Sequence, residues 1–223
     1  SRPLIAKYLI DRCPPEKILY RPEDFYEQNN IRLILDQNIA QLELKTHSVK
    51  LENGETLTWQ KLLLATGGSP IIPPMENIGL DGVFTFTTLD HAKAIDDFLS
   101  QHSGREVKTV VIGGGLIGIS VTDALVKRGI NVTIVEMQER ILSIMLDSEA
   151  ATLEQAGLSK AGVQIITGST VDKINSYLPG VATGVTLSDG QSIPCDMVIV
   201  AIGVQPRVEL AADAGIKINR GIL

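Results

Sequence analysis

Residues 109–136 read TVVIGGGLIGISVTDALVKRGINVTIVE, and this stretch decides the fold. Val110, Val111 and Ile112 suit a buried strand, because β-branched side chains pack well on a pleated surface. Gly113, Gly115 and Gly118 follow in the G-x-G-x-x-G spacing that opens a dinucleotide-binding βαβ unit. In such a unit the first glycine permits a sharp turn, the second lets backbone approach a pyrophosphate, and the third lets helix lie close on strand. The anion then sits at the helix N-terminus, where N–H groups and the helix dipole favour negative charge. A helix, a second β-branched strand over 131–135 and the acid Glu136 complete the pattern. Glu136 stands eighteen residues past Gly118, close to the spacing expected of a carboxylate that accepts from a ribose hydroxyl. A glycine-rich turn alone is weak evidence. The order strand, turn, helix, strand, acid gives it weight.

Outward from this stretch, 223 residues are enough for one large or two small domains. A net charge of −6 argues against a general nucleic-acid binder. No apolar run reaches the length of a membrane span, and the first ten residues lack the order of a signal peptide. Cys13 and Cys195 lie far apart with no metal or CxxC spacing, and the three histidines are scattered, so no metal site is expected. His91 and His102 flank an expected helix and read as polar surface. These absences favour a cytoplasmic location.

Along the chain, residues 2–10 carry a helical apolar pattern, and Arg21–Asp24 reads as a helix start. IRLIL at 31–35 and IAQLELKT at 39–46 are expected strands. Asn53-Gly54 is a hairpin signal between 49–51 and 56–58. Lys61 to Ala65 is expected to be a short buried strand leading into Thr66-Gly67-Gly68. A helix capped by Thr88 or Asp90 should run to about Ser100, and another should span 148–160. Strands are expected near 163–166, 170–176 and 181–187, then a turn at Asp189-Gly190 and a buried strand at 197–200.

Two segments match at a constant offset of 136 residues. Leu51 corresponds to Leu187, Asn53 to Asp189, Gly54 to Gly190, Leu62–Leu64 to Val198–Val200, Ala65 to Ala201, Gly67 to Gly203 and Pro70 to Pro206. The chain therefore reads as two copies of one domain type. By the same spacing the first copy's glycine loop would fall about two dozen residues before Ser1, so the sequence reads as a fragment.

With both copies in view, the chain resembles the two-dinucleotide-binding-domain flavoproteins, the FAD-dependent pyridine nucleotide-disulfide oxidoreductase superfamily, and within it the NADH-dependent ferredoxin, rubredoxin and nitrite reductase-like members. The marks are RPLIAKYL, LLLATGGSPIIPP, VVIGGGLIG with VTIVE, and VIVAIGVQP with AGIKINRGIL. The resemblance implies a Rossmann-like three-layer ββα α/β fold. It implies a partial FAD-binding domain over 1–82, an NAD(H)-binding domain over 83–204 and the start of a return segment over 205–223. It further implies that Gly113, Gly114, Gly115, Leu116, Ile117 and Gly118 cradle the NADH pyrophosphate, with Glu136 on the ribose and Arg140 nearby. Ala201, Ile202 and Gly203 would close the nicotinamide side. On the FAD side it implies Arg2, Ile39, Ala65, Thr66 and Gly67, and it places Lys7 beside the flavin as the catalytic residue.

The implied activity is hydride transfer from NADH to FAD, with electrons leaving for a redox protein or an associated reductase module. Glu136 would repel a 2′-phosphate, so NADH is preferred over NADPH, and Glu136→Arg should move the preference toward NADPH. The family places glutamate where this chain has Ser120, which motivates an alternative: a low-turnover nucleotide-sensing or assembly flavoprotein. A coenzyme A-disulfide or NADH oxidase type would need its cysteine upstream of Ser1. An incomplete first domain would expose strand edges that invite pairing, including as a homodimer.

Overall fold

A computed structural model describes residues 4–223. In chain order the elements begin with α1 (Ile5–Asp11), α2 (Phe25–Gln28), β1 (Ile39–Glu43), β2 (Ser48–Leu51), β3 (Thr56–Thr58), β4 (Gly68–Pro70) and β5 (Val83–Thr85). They continue with α3 (Leu89–Gln101), β6 (Lys108–Ile112), α4 (Leu116–Lys127), β7 (Asn131–Glu136), α5 (Ser148–Lys160) and β8 (Gln164–Thr167). The chain ends with β9 (Val171–Asn175), β10 (Gly184–Leu187), β11 (Ser192–Pro194), β12 (Met197–Val200), β13 (Val204–Pro206) and α6 (Glu209–Asp213). Two compact units result. The first combines the chain up to Tyr20 with Pro70–Gly203, and the second combines Arg21–Ser69 with Val204–Leu223.

The first unit is built on a parallel sheet in the order β5-β12-β6-β7-β8. Its strands read as apolar runs rather than alternating patterns because both faces are covered. Val111, Ile134 and Ile199 point into one core with residues of α1, α3 and α4, among them Leu9, Ile95, Val121 and Leu125. Val110, Ile112, Val135, Val198 and Val200 point the other way, onto Ile174, Val185 and Leu187 of the antiparallel meander β9–β11. Helices, parallel sheet and meander make the three-layer ββα arrangement that the resemblance implied. Thr88 caps α3 by accepting from His91 N–H, and Asp147 caps α5 by accepting from Ala150 N–H. No helix among the described residues is long and apolar enough to cross a membrane.

The second unit holds the antiparallel meander β1-β2-β3, with α6 against β1. The repeat is visible atom by atom. In the β2–β3 hairpin Leu51 N–H donates to Glu55 O at 2.8 Å, Gly54 N–H to Leu51 O at 3.0 Å, and Glu55 N–H to Asn53 Oδ1 at 2.9 Å. In the β10–β11 hairpin Leu187 N–H donates to Gln191 O at 2.8 Å, Gly190 N–H to Leu187 O at 2.9 Å, and Gln191 N–H to Asp189 Oδ1 at 2.9 Å. Gly54 and Gly190 turn with φ of +89° and +87°, the conformation that favours glycine at these corners.

Two expected strands do not form. Residues 31–35 are irregular with Ile31, Leu33 and Leu35 exposed, and 62–64 are irregular with Leu63 87% exposed. Ile199, the repeat counterpart of Leu63, is fully buried between β5 and β6. The difference is one of neighbours: a strand exists only where adjacent backbone takes its N–H and C=O groups. Among the described residues of the second unit, nothing flanks 62–64 in that way.

Candidate functional site

The glycine loop lies at the C-terminal edge of the parallel sheet, between β6 and α4. Its glycines answer to different constraints. Gly113 turns with φ +106°, and a Cβ there would stand 2.6 Å from Ala201 O. Gly118 lies so close on the strand that its Cβ would stand 1.9 Å from Gly113 O. Gly114 is wedged as well, since a Cβ would meet Ile141 Cγ2 at 2.8 Å and Glu136 Cβ at 3.2 Å. Gly115 differs from all three. Its φ of −79° suits any residue, and a Cβ there would meet nothing within 4 Å. Among the described residues nothing demands glycine at 115, and an open second glycine is what the motif needs if backbone is to approach a pyrophosphate.

Gly115 is also the N-cap of α4 and brings no side chain to cap its first turn, which holds no acid. The N–H groups of that turn and the positive end of the helix are therefore available to an anion. Beside them, Glu136 at the end of β7 accepts from Gly114 N–H through Oε2 at 2.6 Å and from Gln138 N–H through Oε1 at 2.8 Å. A carboxylate offers about four acceptor positions, so two remain for ribose hydroxyls. These groups fit an NAD(H) pyrophosphate and adenosine ribose. On the other side, the 201–203 turn adjoins the loop: Ala201 N–H donates to Ile112 O at 2.8 Å, and Gly203 carries φ +125°.

The remaining expected residues are placed as follows. Arg140 is half-buried and turns back on its own loop, with Nη2 3.4 Å from Ser143 O and 3.5 Å from Leu146 O, while Nε is buried without a hydrogen-bond partner. Leu116 and Ile202 are exposed beside the loop. Lys7 is exposed on α1, which packs against α4, the helix that carries Ser120. Arg2 lies outside the described residues. Ile39, Ala65, Thr66 and Gly67 belong to the second unit, where Thr66 Oγ1 donates to Arg207 O at 2.6 Å and Arg207 N–H donates to Gly67 O at 3.0 Å. Among the described residues that unit presents no second glycine-rich strand–turn–helix for an FAD pyrophosphate.

The two histidines read as polar surface are integrated into the fold. His91 lies against a cavity of about 240 Å³ formed with Phe84, Thr85, Ala94 and Val200. Its Nδ1 accepts from Thr87 N–H at 3.2 Å, which leaves the proton of the neutral ring on Nε2, and burial lowers its pKa from the ordinary value. His102 stacks on Phe98 with centroids 4.1 Å apart. Their signal in the sequence, isolated positions at helix ends, carried no trace of these contacts. Both cysteines are buried, and burial pushes the Cys195 thiol up to about 12, unlike a reactive thiol. Sequence reading also missed the role of Ile141 and Leu142. Leu142, with φ +51°, donates its N–H to Gly114 O at 2.8 Å. The segment 137–146 holds several apolar residues, and nothing in that pattern singles out this pair.

Comparison with known proteins gives the family. The NADH-dependent phenylglyoxylate dehydrogenase subunit epsilon of Aromatoleum evansii is 32% identical over 222 residues, which are 99% of this chain and 51% of that protein. The rubredoxin-NAD(+) reductase of Acinetobacter baylyi is 31% identical over 227 residues, covering 100% of this chain and 57% of that protein. A ferredoxin reductase structure from Rhodopseudomonas palustris superposes with a TM-score of 0.92 at 30% identity, over 100% of this chain and 54% of that one. The chain spans about half the length of the curated relatives it matches. The family model described as pyridine nucleotide-disulphide oxidoreductase matches residues 4–223, and the chain, with its glycine loop and ββα layers, belongs to the pyridine nucleotide-disulphide oxidoreductase family.

Proposed function

We propose that this chain supplies the NADH-binding part of an NADH-dependent flavin oxidoreductase. The observation that carries the reading is Gly115, a glycine that the chain's own packing does not require, set between uncapped helix N–H groups and a carboxylate with acceptor positions to spare. Residues 83–204 would form the NAD(H)-binding domain, with residues 1–82 belonging to an FAD-binding domain and 205–223 returning to it. The cofactors supply the redox chemistry, a hydride from NADH to FAD and electrons onward to a redox protein or reductase module. The chain's residues bind and orient. Gly113–Gly118 hold the pyrophosphate, Glu136 takes the ribose hydroxyls and repels a 2′-phosphate, and Ala201–Gly203 bound the nicotinamide side. Lys7 would place a cation beside the flavin.

The partner kind follows the relatives, whose names include a rubredoxin reductase. A cytoplasmic location is part of the same proposal, as is self-association through exposed Ile31, Leu33, Leu35 and Leu63. Calorimetric titration of the chain with NADH and NADPH tests the binding claim. NADH should bind at least about tenfold more tightly, about 1.4 kcal/mol; equal affinities, or no binding, would defeat it. Ser120 favours a second reading, in which the parent protein turns over slowly and senses nucleotide. NADH oxidation by the parent with an artificial acceptor decides between them: turnover near background with FAD bound supports sensing, and brisk turnover removes it. Buried Cys13 and Cys195 speak against a disulfide reductase that uses either thiol.

A further inference from the structure

Gly114, the unspecified position of the glycine motif, is tied on both sides of its backbone. Its N–H donates to Glu136 Oε2 at 2.6 Å, and its carbonyl accepts from Leu142 N–H at 2.8 Å. It also has no room for a side chain, because an added Cβ would stand 2.8 Å from Cγ2 of Ile141, which is fully buried. The second oxygen of Glu136 holds Gln138 N–H at 2.8 Å. One carboxylate thus joins the glycine loop to the segment after β7.

We infer that Glu136 is a positioning residue for the glycine loop as well as a ribose acceptor, so recognition of the adenosine ribose and of the pyrophosphate are coupled through the Glu136–Gly114 hydrogen bond. The inference rests on the NADH reading of the site. Its consequence departs from a simple charge-repulsion rule. Arginine has donors and no acceptors, so at 136 it would leave Gly114 N–H and Gln138 N–H facing a cation and would release the loop. Glu136→Arg therefore loses NADH without gaining NADPH. The preference ratio moves only because its numerator falls. Glutamine keeps one acceptor oxygen and holds one of the two N–H groups, so Glu136→Gln lies between.

The test titrates the full 223-residue chain and both variants with NADH, NADPH and an NADH analogue lacking the adenosine 2′-hydroxyl. The analogue separates the two roles, because it removes the principal ribose contact and leaves the pyrophosphate. Glu136→Arg should weaken the analogue about tenfold or more, the scale of losing charge-assisted hydrogen bonds, and NADPH should bind it no better than it binds the unaltered chain. Hydrogen exchange at the Gly114 amide, followed without nucleotide, should speed up in Glu136→Arg. Unchanged analogue affinity, a gain in NADPH affinity, or unchanged Gly114 exchange would each overturn the coupling while leaving NADH binding by the unaltered chain intact. Failure of the unaltered chain to bind NADH would instead bring down the reading beneath it.

Discussion

Asp96 joins three helices of the first unit, away from the proposed nucleotide site. It lies on α3 and accepts from Arg12 Nε at 2.8 Å and from Arg128 Nη1 at 2.7 Å. Arg12 is the C-cap of α1 and Arg128 the C-cap of α4, so one carboxylate ties together three helices. The two arms are unequal. Arg128 and Asp96 are 14% and 15% exposed, whereas Arg12 is 52% exposed and also donates to Ser100 Oγ. An exposed arm contributes roughly 0.2–1 kcal/mol, and breaking a fully buried pair costs about 3–5 kcal/mol because the surviving charge is stranded.

Arg128 retains Leu9 O at 3.3 Å and slight solvent contact, so Asp96→Ala should cost about 2–3 kcal/mol. That is a fall in midpoint of about 5–10 °C for a chain of this size. Far-UV circular dichroism during thermal and urea unfolding is the assay, since the one tryptophan, Trp59, lies in the second unit. The double variant Asp96→Ala/Arg128→Met removes the stranded charge and should recover part of the loss. A cost below about 0.5 kcal/mol for Asp96→Ala, or a double variant no better than the single, would refute the stranded-charge reasoning. The result bears on the proposed function because α1, held by this junction, carries Lys7, the cation proposed to lie beside the flavin.

Two further outcomes follow from titratable groups. Burial lowers the His91 pKa in the folded chain, so as pH falls below about 6.5 the unfolded state takes up a proton that the folded state resists, and stability drops. The loss continues down to the folded pKa; unfolding midpoints measured from pH 7.5 to 5 should show this fall, and His91→Gln should flatten it. Cys195 is buried with its thiol pushed up to about 12, so a thiol-specific disulfide reagent at pH 8 should leave it unmodified in the native chain and modify it in denaturant. Rapid native labelling at Cys195 would contradict the packing described.

Features that depend on a few consecutive residues were legible in the sequence. The Asn53-Gly54 and Asp189-Gly190 hairpins, a cap for α3 at Thr88 or Asp90 and the boundaries of α5 all follow from local chemistry, and the structure realises them with Thr88 as the cap. Features that depend on what lies alongside were not. Leu62–Leu64 and Val198–Val200 are equally apolar and occupy equivalent places in the repeat, yet only the second run is flanked by strands and buried. Asp96 and Ile141 escaped notice, and His91 was misread as polar surface, for a related reason. Their partners Arg12, Gly114 and Thr85 come from separate elements, and no periodicity records a contact across elements.

The glycine motif was legible, but its division of labour was not, and that division can be tested by separating stability from binding. Gly113 and Gly118 are required by neighbouring backbone at 2.6 Å and 1.9 Å from an added Cβ. Substituting either must shift the helix against the strand, so folding and binding fall together. Gly115 has an extended backbone, with φ −79° and ψ −175°, and open space where a side chain would go. Serine is favoured over glycine at such an N-cap by a few tenths of a kcal/mol, and its hydroxyl can accept from the first turn of α4. Gly115→Ser should therefore leave the chain as stable as before, or more stable by up to about 0.5 kcal/mol. The same hydroxyl occupies the approach to the pyrophosphate and competes for its N–H donors, so NADH affinity should fall about tenfold or more. Urea unfolding and calorimetry on one preparation read both quantities. A variant that loses stability would show that the chain itself requires Gly115, and one that keeps full NADH affinity would show that the nucleotide does not come close to this point of the loop.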